Sequence, residues 1–160
     1  MKHATFEDLL SWNPCLETSC QGRTLMHRLA GRRKRWKPKH VAALLGKKGL
    51  KQDDWLWLAL HYLAYTGYKQ VLVDWAGYCV RSARSALAVA PQGNRKETAR
   101  YRVDCAGNSF RDLVGQSDPY DAADSADTVV TQAALASKLP YNKAELRLLK
   151  RLAKLMCEAK

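Results

Sequence analysis

Apolar residues recur along this chain at three- and four-residue spacing, with little strict alternation, so the pattern predicts helices that bury one face. Thr5 followed by Glu7 and Asp8 reads as an N-cap with an acidic first turn. It predicts a short helix to about Trp12, stopped at Asn13-Pro14. Residues 24–35 (TLMHRLAGRRKR) predict a second helix, weakened at Gly31 and ended by Pro38. His40 to Leu45 gives a short third helix before the loop GKKG. The segment DWLWLALHYLAYTG, capped by Asp53 and Asp54, is apolar on nearly every side and must be buried; Gly67 is its natural terminator.

Lys69 to Leu87 (KQVLVDWAGYCVRSARSAL) follows, with an apolar-patterned half on each side of Gly77. Between Pro91 and Pro119 the phrases QGN, AGN and VGQ interrupt the periodicity. They predict a long loop or small hairpin near 91–119, with a short strand at 100–105 (RYRVDC). Ser125 to Lys138 returns to helical spacing and stops before Pro140. Asn142 then caps a terminal amphipathic helix over 142–158. Its apolar stripe is Leu146, Leu149, Leu152, Ala153 and Met156, and Lys143, Arg147, Lys150, Arg151 and Lys154 line the other side. Packing on its own core is the simplest use of that stripe. The predicted class is all-α: a compact multi-helix domain, with basic N-terminal helices and an arm over 1–52 and a helical core over 53–160.

The spacing within Lys69–Leu87 resembles the repressor-type helix-turn-helix. Counting from Lys69, apolar residues fall at Leu72, Ala76, Tyr78, Ala83 and Ala86, and Gly77 takes the turn position. Val73, where a small residue is usual, and Ala83, where Val or Ile is usual, depart from the pattern. In that motif the second helix enters the major groove by its N-terminal end, so Arg81, Ser82, Arg84 and Ser85 become the candidate readers. Arg81, Arg84 and Ser85 share one helix face, and an arginine can bind the O6 and N7 edge of guanine bidentately. Two core helices meeting at a glycine would give the same pattern.

Charge supports a polyanionic partner. Lys and Arg number 27 against 15 acids, a formal net charge of +12 with a pI near 9.7. From Gly22 to Gln52 there is no acid but there are eleven bases, whereas Cys105 to Asp127 holds five Asp and one Arg. Within the basic block, GRRKRWKPK sets Trp36 among Arg32, Arg33, Lys34, Arg35, Lys37 and Lys39. That mixture suits phosphates together with base or sugar stacking. A solvated loop is the plain reading of the same residues.

The phrase LALHYLAYTG followed by KQVLV and VRSARSAL resembles phage late-gene antiterminators of the Q type, small basic proteins that engage promoter DNA and RNA polymerase. Asp118 to Leu152, with its AL…LP element, resembles the lead-in to sigma-factor region 4. These resemblances imply a DNA-binding transcription regulator acting with promoter DNA and RNA polymerase.

Other chemistry has less to stand on. Cys15, Cys20 and His27, with His3 or His40, could donate to a metal, but C-x4-C-x6-H lacks the tight pairs of structural zinc sites. Five irregularly spaced cysteines cannot all pair, and Cys79 and Cys157 read as small core residues. His61 on an apolar helix reads as a core histidine. Asp118, Asp121, Asp124 and Asp127 have i, i+3 spacing that could hold a divalent cation, or simply form a solvated helix start. No nucleotide-binding loop, GxSxG or HExxH occurs.

Sequence therefore predicts a non-enzymatic, cofactor-free DNA-binding regulator, with RNA as the other polyanion, in the cytoplasm on the nucleoid. No stretch reaches membrane-span length. The second reading is a phage- or mobile-element-encoded inhibitor or adaptor that docks on a protein or ribonucleoprotein. The third is a small metal-dependent nuclease using the Asp cluster.

Overall fold

A computed structural model of the chain describes residues 3–12, 24, 27–29, 31, 33–137 and 140–159. It is all-helical, and the described residues form no strand beyond one isolated bridge between Ala4 and Trp36. The helices are α1 (Phe6–Ser11), α2 (Pro38–Ala42), α3 (Gln52–Tyr65), α4 (Lys69–Ala88), α5 (Asn94–Gly115), α6 (Pro119–Ala136) and α7 (Tyr141–Glu158).

Local chemistry sets several ends as the sequence predicts. Thr5 caps α1 by a reciprocal capping box with Asp8: its Oγ1 accepts from the Asp8 amide at 3.2 Å, and the Asp8 carboxylate accepts from the Thr5 amide at 2.7 Å. Gly67 follows the α3 C-cap with a φ of 82°, the left-handed turn that favours glycine. The Asp118 carboxylate accepts from the amides of Tyr120 and Asp121 at 2.8 and 3.2 Å and so starts α6. This helix begins at Pro119, six residues before the predicted Ser125. The predicted helix over 24–35 lies partly outside the described residues; positions 27–29 are helical, and Gly31 turns the chain with a φ of 60°.

Two predicted elements are corrected. Lys69–Ala88 is one uninterrupted 20-residue helix, not two helices about a turn. Gly77 lies buried inside it against the Phe110 ring, and it is absent from the positive-φ glycines. The apolar phase runs unbroken through Leu72, Ala76, Cys79, Val80 and Ala83, all buried, so one face of one helix satisfies it. Second, the predicted loop or hairpin at 91–119, with its strand at 100–105, is the 22-residue helix α5. Ala99, Val103, Ala106 and Leu113 bury its stripe, and the Lys69 Nζ caps its far end by donating to the carbonyls of Val114 (3.3 Å) and Gln116.

The core is continuous from the N-terminal segment to the last helix. α6 packs against α3, α4, α5 and α7, and α2 packs against α7. The buried face of α6 is largely alanine, Ala122, Ala123, Ala126, Ala133 and Ala134, in one core with Val103 and Ala106 of α5. Small side chains let those helices approach closely. Aromatic tips tie the other elements together. Trp55 Nε1 donates to the Val41 carbonyl, Tyr62 Oη to that of Trp36 and Trp75 Nε1 to that of Leu148, each at 2.9 Å. On α7 the buried residues are Ala144, Glu145, Leu148, Leu149, Leu152 and Met156. The predicted Leu146 and Ala153 are only half-buried because α2, α4 and α6 approach this helix from more than one side. Among the described residues no helix is long and apolar enough to cross a membrane.

Candidate functional site

The four candidate readers lie on the second half of α4. Arg81, Arg84 and Ser85 are exposed and Ser82 is half-buried. Because α4 is continuous, they stand in its last two turns and do not form the N-terminal tip of a recognition helix. Ser85 Oγ donates to the Arg81 carbonyl one turn back at 3.0 Å. The Arg81 guanidinium folds back along the helix over Gly77: a Cβ there would stand 3.3 Å from Arg81 Nη1 and 3.6 Å from the Phe110 ring. Gly77 thus supplies room for an arginine and an aromatic ring of α5, in place of the turn the sequence suggests.

Two grooves open beside this face, and Arg81 lines both. The first, of about 510 Å³ between α4 and α5, carries Arg81 and Arg84 on one wall and Asp104, Asn108 and Arg111 on the other. Arg111 Nη2 donates to Asn108 Oδ1 of the side-chain amide, which fixes the guanidinium along α5. The second, of about 570 Å³ between α4, α6 and α7, sets Arg81, Ser82 and Ser85 opposite Arg147. Lys154 pairs with Glu158 at 3.8 Å, but among the described residues no acid lies within 4.0 Å of Arg81, Arg84, Arg111 or Arg147. Their charge is left for solvent or a ligand. Arg147 and Arg111 were not among the predicted site residues. Arg147 stands on the predicted polar side of the last helix and Arg111 is the single base in the acidic stretch, yet only the fold sets them beside Arg81.

The N-terminal basic residues form a separate place. Arg33, Lys34, Arg35, Lys37 and Lys39 are exposed, while Arg32 lies outside the described residues. Lys37 and Lys39 line a pocket of about 340 Å³ with His3 and Tyr68, away from the α4 grooves. Burial and then the charges of Arg33, Lys39 and Lys37 hold His40 below the ordinary histidine range, which registers the positive potential there. Trp36 is corrected. Its ring is 0% exposed, so it is not a stacking platform for bases. The bridge to Ala4 and the Tyr62 bond to its carbonyl hold it in the core, and Arg33 covers the ring at 5.1 Å.

The remaining candidates separate clearly. Cys15 and Cys20 lie outside the described residues, and His27 packs on Phe6 with ring centroids 4.4 Å apart. Among the described residues no three His, Cys, Asp or Glu converge as a metal group. Cys79 is a buried core residue, but Cys157 is exposed because α7 turns that side outward. His61 is buried; its Nδ1 donates to the Trp57 carbonyl at 2.9 Å and its Nε2 has no partner among the described residues. Desolvation holds it below the ordinary range, as a neutral ring. Asp118 is occupied as a cap, and Asp121 is exposed in the first turn of α6. Asp127 is half-buried beside Asp124, Glu145 and Asp53; burial first, then these like charges, raise it to about 6. Comparison with protein-family models, with curated proteins and with solved structures gives no match to this chain.

Proposed function

We propose that the chain is a DNA-binding regulator that grips the phosphate backbone through Arg81 and Arg84 of α4 and Arg111 of α5. The N-terminal cations at 33–39 supply a second phosphate contact, and RNA polymerase is the protein partner the sequence resemblances point to. The observation that carries this reading is the exposed arginine face: three guanidiniums along one groove, without an acid partner within 4.0 Å among the described residues, on a chain of net charge +12. Arginines on the side of the last two turns of a helix suit phosphate and groove-edge contacts, which position a protein on a duplex without reading its sequence.

Fluorescence anisotropy on a labelled duplex tests it. The affinity falls steeply with salt, by about 0.9 in log–log slope per phosphate engaged. The double variant R81Q/R84Q binds about ten-fold or more weakly and loses about two from that slope. A wild-type protein without measurable duplex affinity at low salt, or a double variant with unchanged slope, overturns the assignment and leaves the protein-docking reading in its place.

A further inference from the structure

The groove on the other side of Arg81 has a different construction, and we propose that it is a site for a nucleoside phosphate, taken by its phosphate head and its flat apolar body together. Its volume of about 570 Å³ falls within the ~300–1,000 Å³ usual for small-ligand sites. The lining is divided. Arg81 from α4 and Arg147 from α7 face the same space, with the Ser82 hydroxyl beside Arg81. Ala133 and Leu148 form an apolar floor, and the Tyr78 ring stands at the same wall.

Each part matches one part of the ligand. Arg147 presents a planar donor fork of the kind that binds phosphate oxygens in pairs, and Arg81, whose Nη1 lies by Gly77 on the α5 side, adds a second guanidinium from the wall the two grooves share; among the described residues neither has an acid within 4.0 Å. The Ser82 hydroxyl adds a further donor. A floor of methyl groups beside a tyrosine ring accepts a base or sugar face, as recognition by stacking requires. The Arg151 guanidinium lies 5.6 Å from the Tyr78 ring and fixes it, and the buried Arg151 Nε has no hydrogen-bond partner among the described residues. Positive charge therefore surrounds the ring as well as the phosphate end. A duplex backbone lies across the mouth of this half-open groove, whereas a single nucleotide enters it. Since Arg81 also lines the α5 groove, a bound nucleotide withdraws one guanidinium from any polyanion there.

This site stands apart from the DNA reading, and its test contains no duplex. Adenosine monophosphate, inorganic phosphate and adenosine are titrated into the full chain by calorimetry. The monophosphate binds one-to-one and about ten-fold or more tighter than either fragment, because head and body act together. R147Q, at an exposed position, weakens it about ten-fold without lowering the melting temperature, and K150Q, a charge-matched change on the same helix, alters it less than about two-fold. Ala86 of α4 also belongs to the apolar lining, and A86L, which adds bulk there, weakens the monophosphate but leaves inorganic phosphate unchanged. A 5′-phosphorylated trinucleotide run in parallel names the source: tighter binding than the monophosphate marks a strand end, weaker binding a free nucleotide. Monophosphate binding no tighter than phosphate, or equal losses in R147Q and K150Q, overturns the site.

Discussion

Arg81 and Arg84 stand exposed on α4 with no acid within 4.0 Å among the described residues, whereas Glu145 is buried with Asp53 and Asp127 as its acidic neighbours, and Asp124 beside Asp127. Each region is dominated by one sign of charge, with Asp104 the acid in the arginine groove, and neither region neutralises the other. At the acidic seam burial raises Glu145 and Asp127 above the usual carboxyl range, and the like charges around them add to the effect. One hydrogen bond, from Tyr141 Oη to Glu145 Oε1 at 3.0 Å, opposes it. The folded chain thus tolerates carboxyls that resist ionisation while leaving guanidiniums in water. A protein selected for stability alone would gain by pairing them, so the separation favours a role for the exposed cations outside the molecule.

The largest expected effect comes from the acidic side. Asp127 in the folded chain titrates at about 6, above its unfolded value of 3.8, so the folded state holds this proton more tightly. Its contribution to stability is full below about pH 4 and is lost as pH rises through 6. D127N removes that loss. Thermal melts show it more stable than the parent by on the order of 1–2 kcal/mol at pH 7, after allowance for partial solvent screening, and near parity at pH 4. Equal differences at both pH values would mean that Asp127 is solvated and the two regions are less unlike than described.

A smaller effect sharpens the cationic side. Asp104 is the acid in the groove of Arg81, Arg84 and Arg111. D104N raises duplex affinity by about three-fold at low salt, measured by anisotropy, because one repulsive charge leaves the phosphate path. Weaker binding would remove that groove from the interface. The smallest effect concerns Gly77. Within a continuous helix, G77A stabilises by about 0.5 kcal/mol in denaturant titration, since alanine is the better helix former and the flexible end of Arg81 can yield at 3.3 Å. Were Gly77 a turn residue with positive φ, the same change would destabilise the chain.

How much of this was legible depended on the range over which each signal acts. α3 is readable because its residues are apolar on every side, and α1 because Thr5 and Asp8 form its cap locally. α5 was hidden by Gly107 and by a stripe built from small residues, Ala99, Val103 and Ala106, whose periodicity is faint beside its polar majority. The glycine at 77 suggested a turn, yet the apolar phase does not slip across it, and a true turn between helices would have shifted that phase. Trp36 carried no local sign of burial. Cations surround it in sequence, and its place is set by Ala4 and Tyr62 from far along the chain. The meeting of Arg81 with Arg111 and Arg147 is likewise tertiary, so sequence offered the residue types but not the grooves.

The alanine face of α6 has a consequence for how this chain can change over generations. At Ala123 and Ala126, both fully buried, every other apolar residue is larger and must force α5 or α3 outward, at a cost of about 1–3 kcal/mol. The single smaller choice, glycine, costs about 1 kcal/mol of helix propensity. Such positions have no conservative neighbour in the genetic alphabet. Variation is thereby confined to the outward faces, and the grip of α6 on its four partner helices holds the arginine face of α4 in place while the rest of the surface drifts.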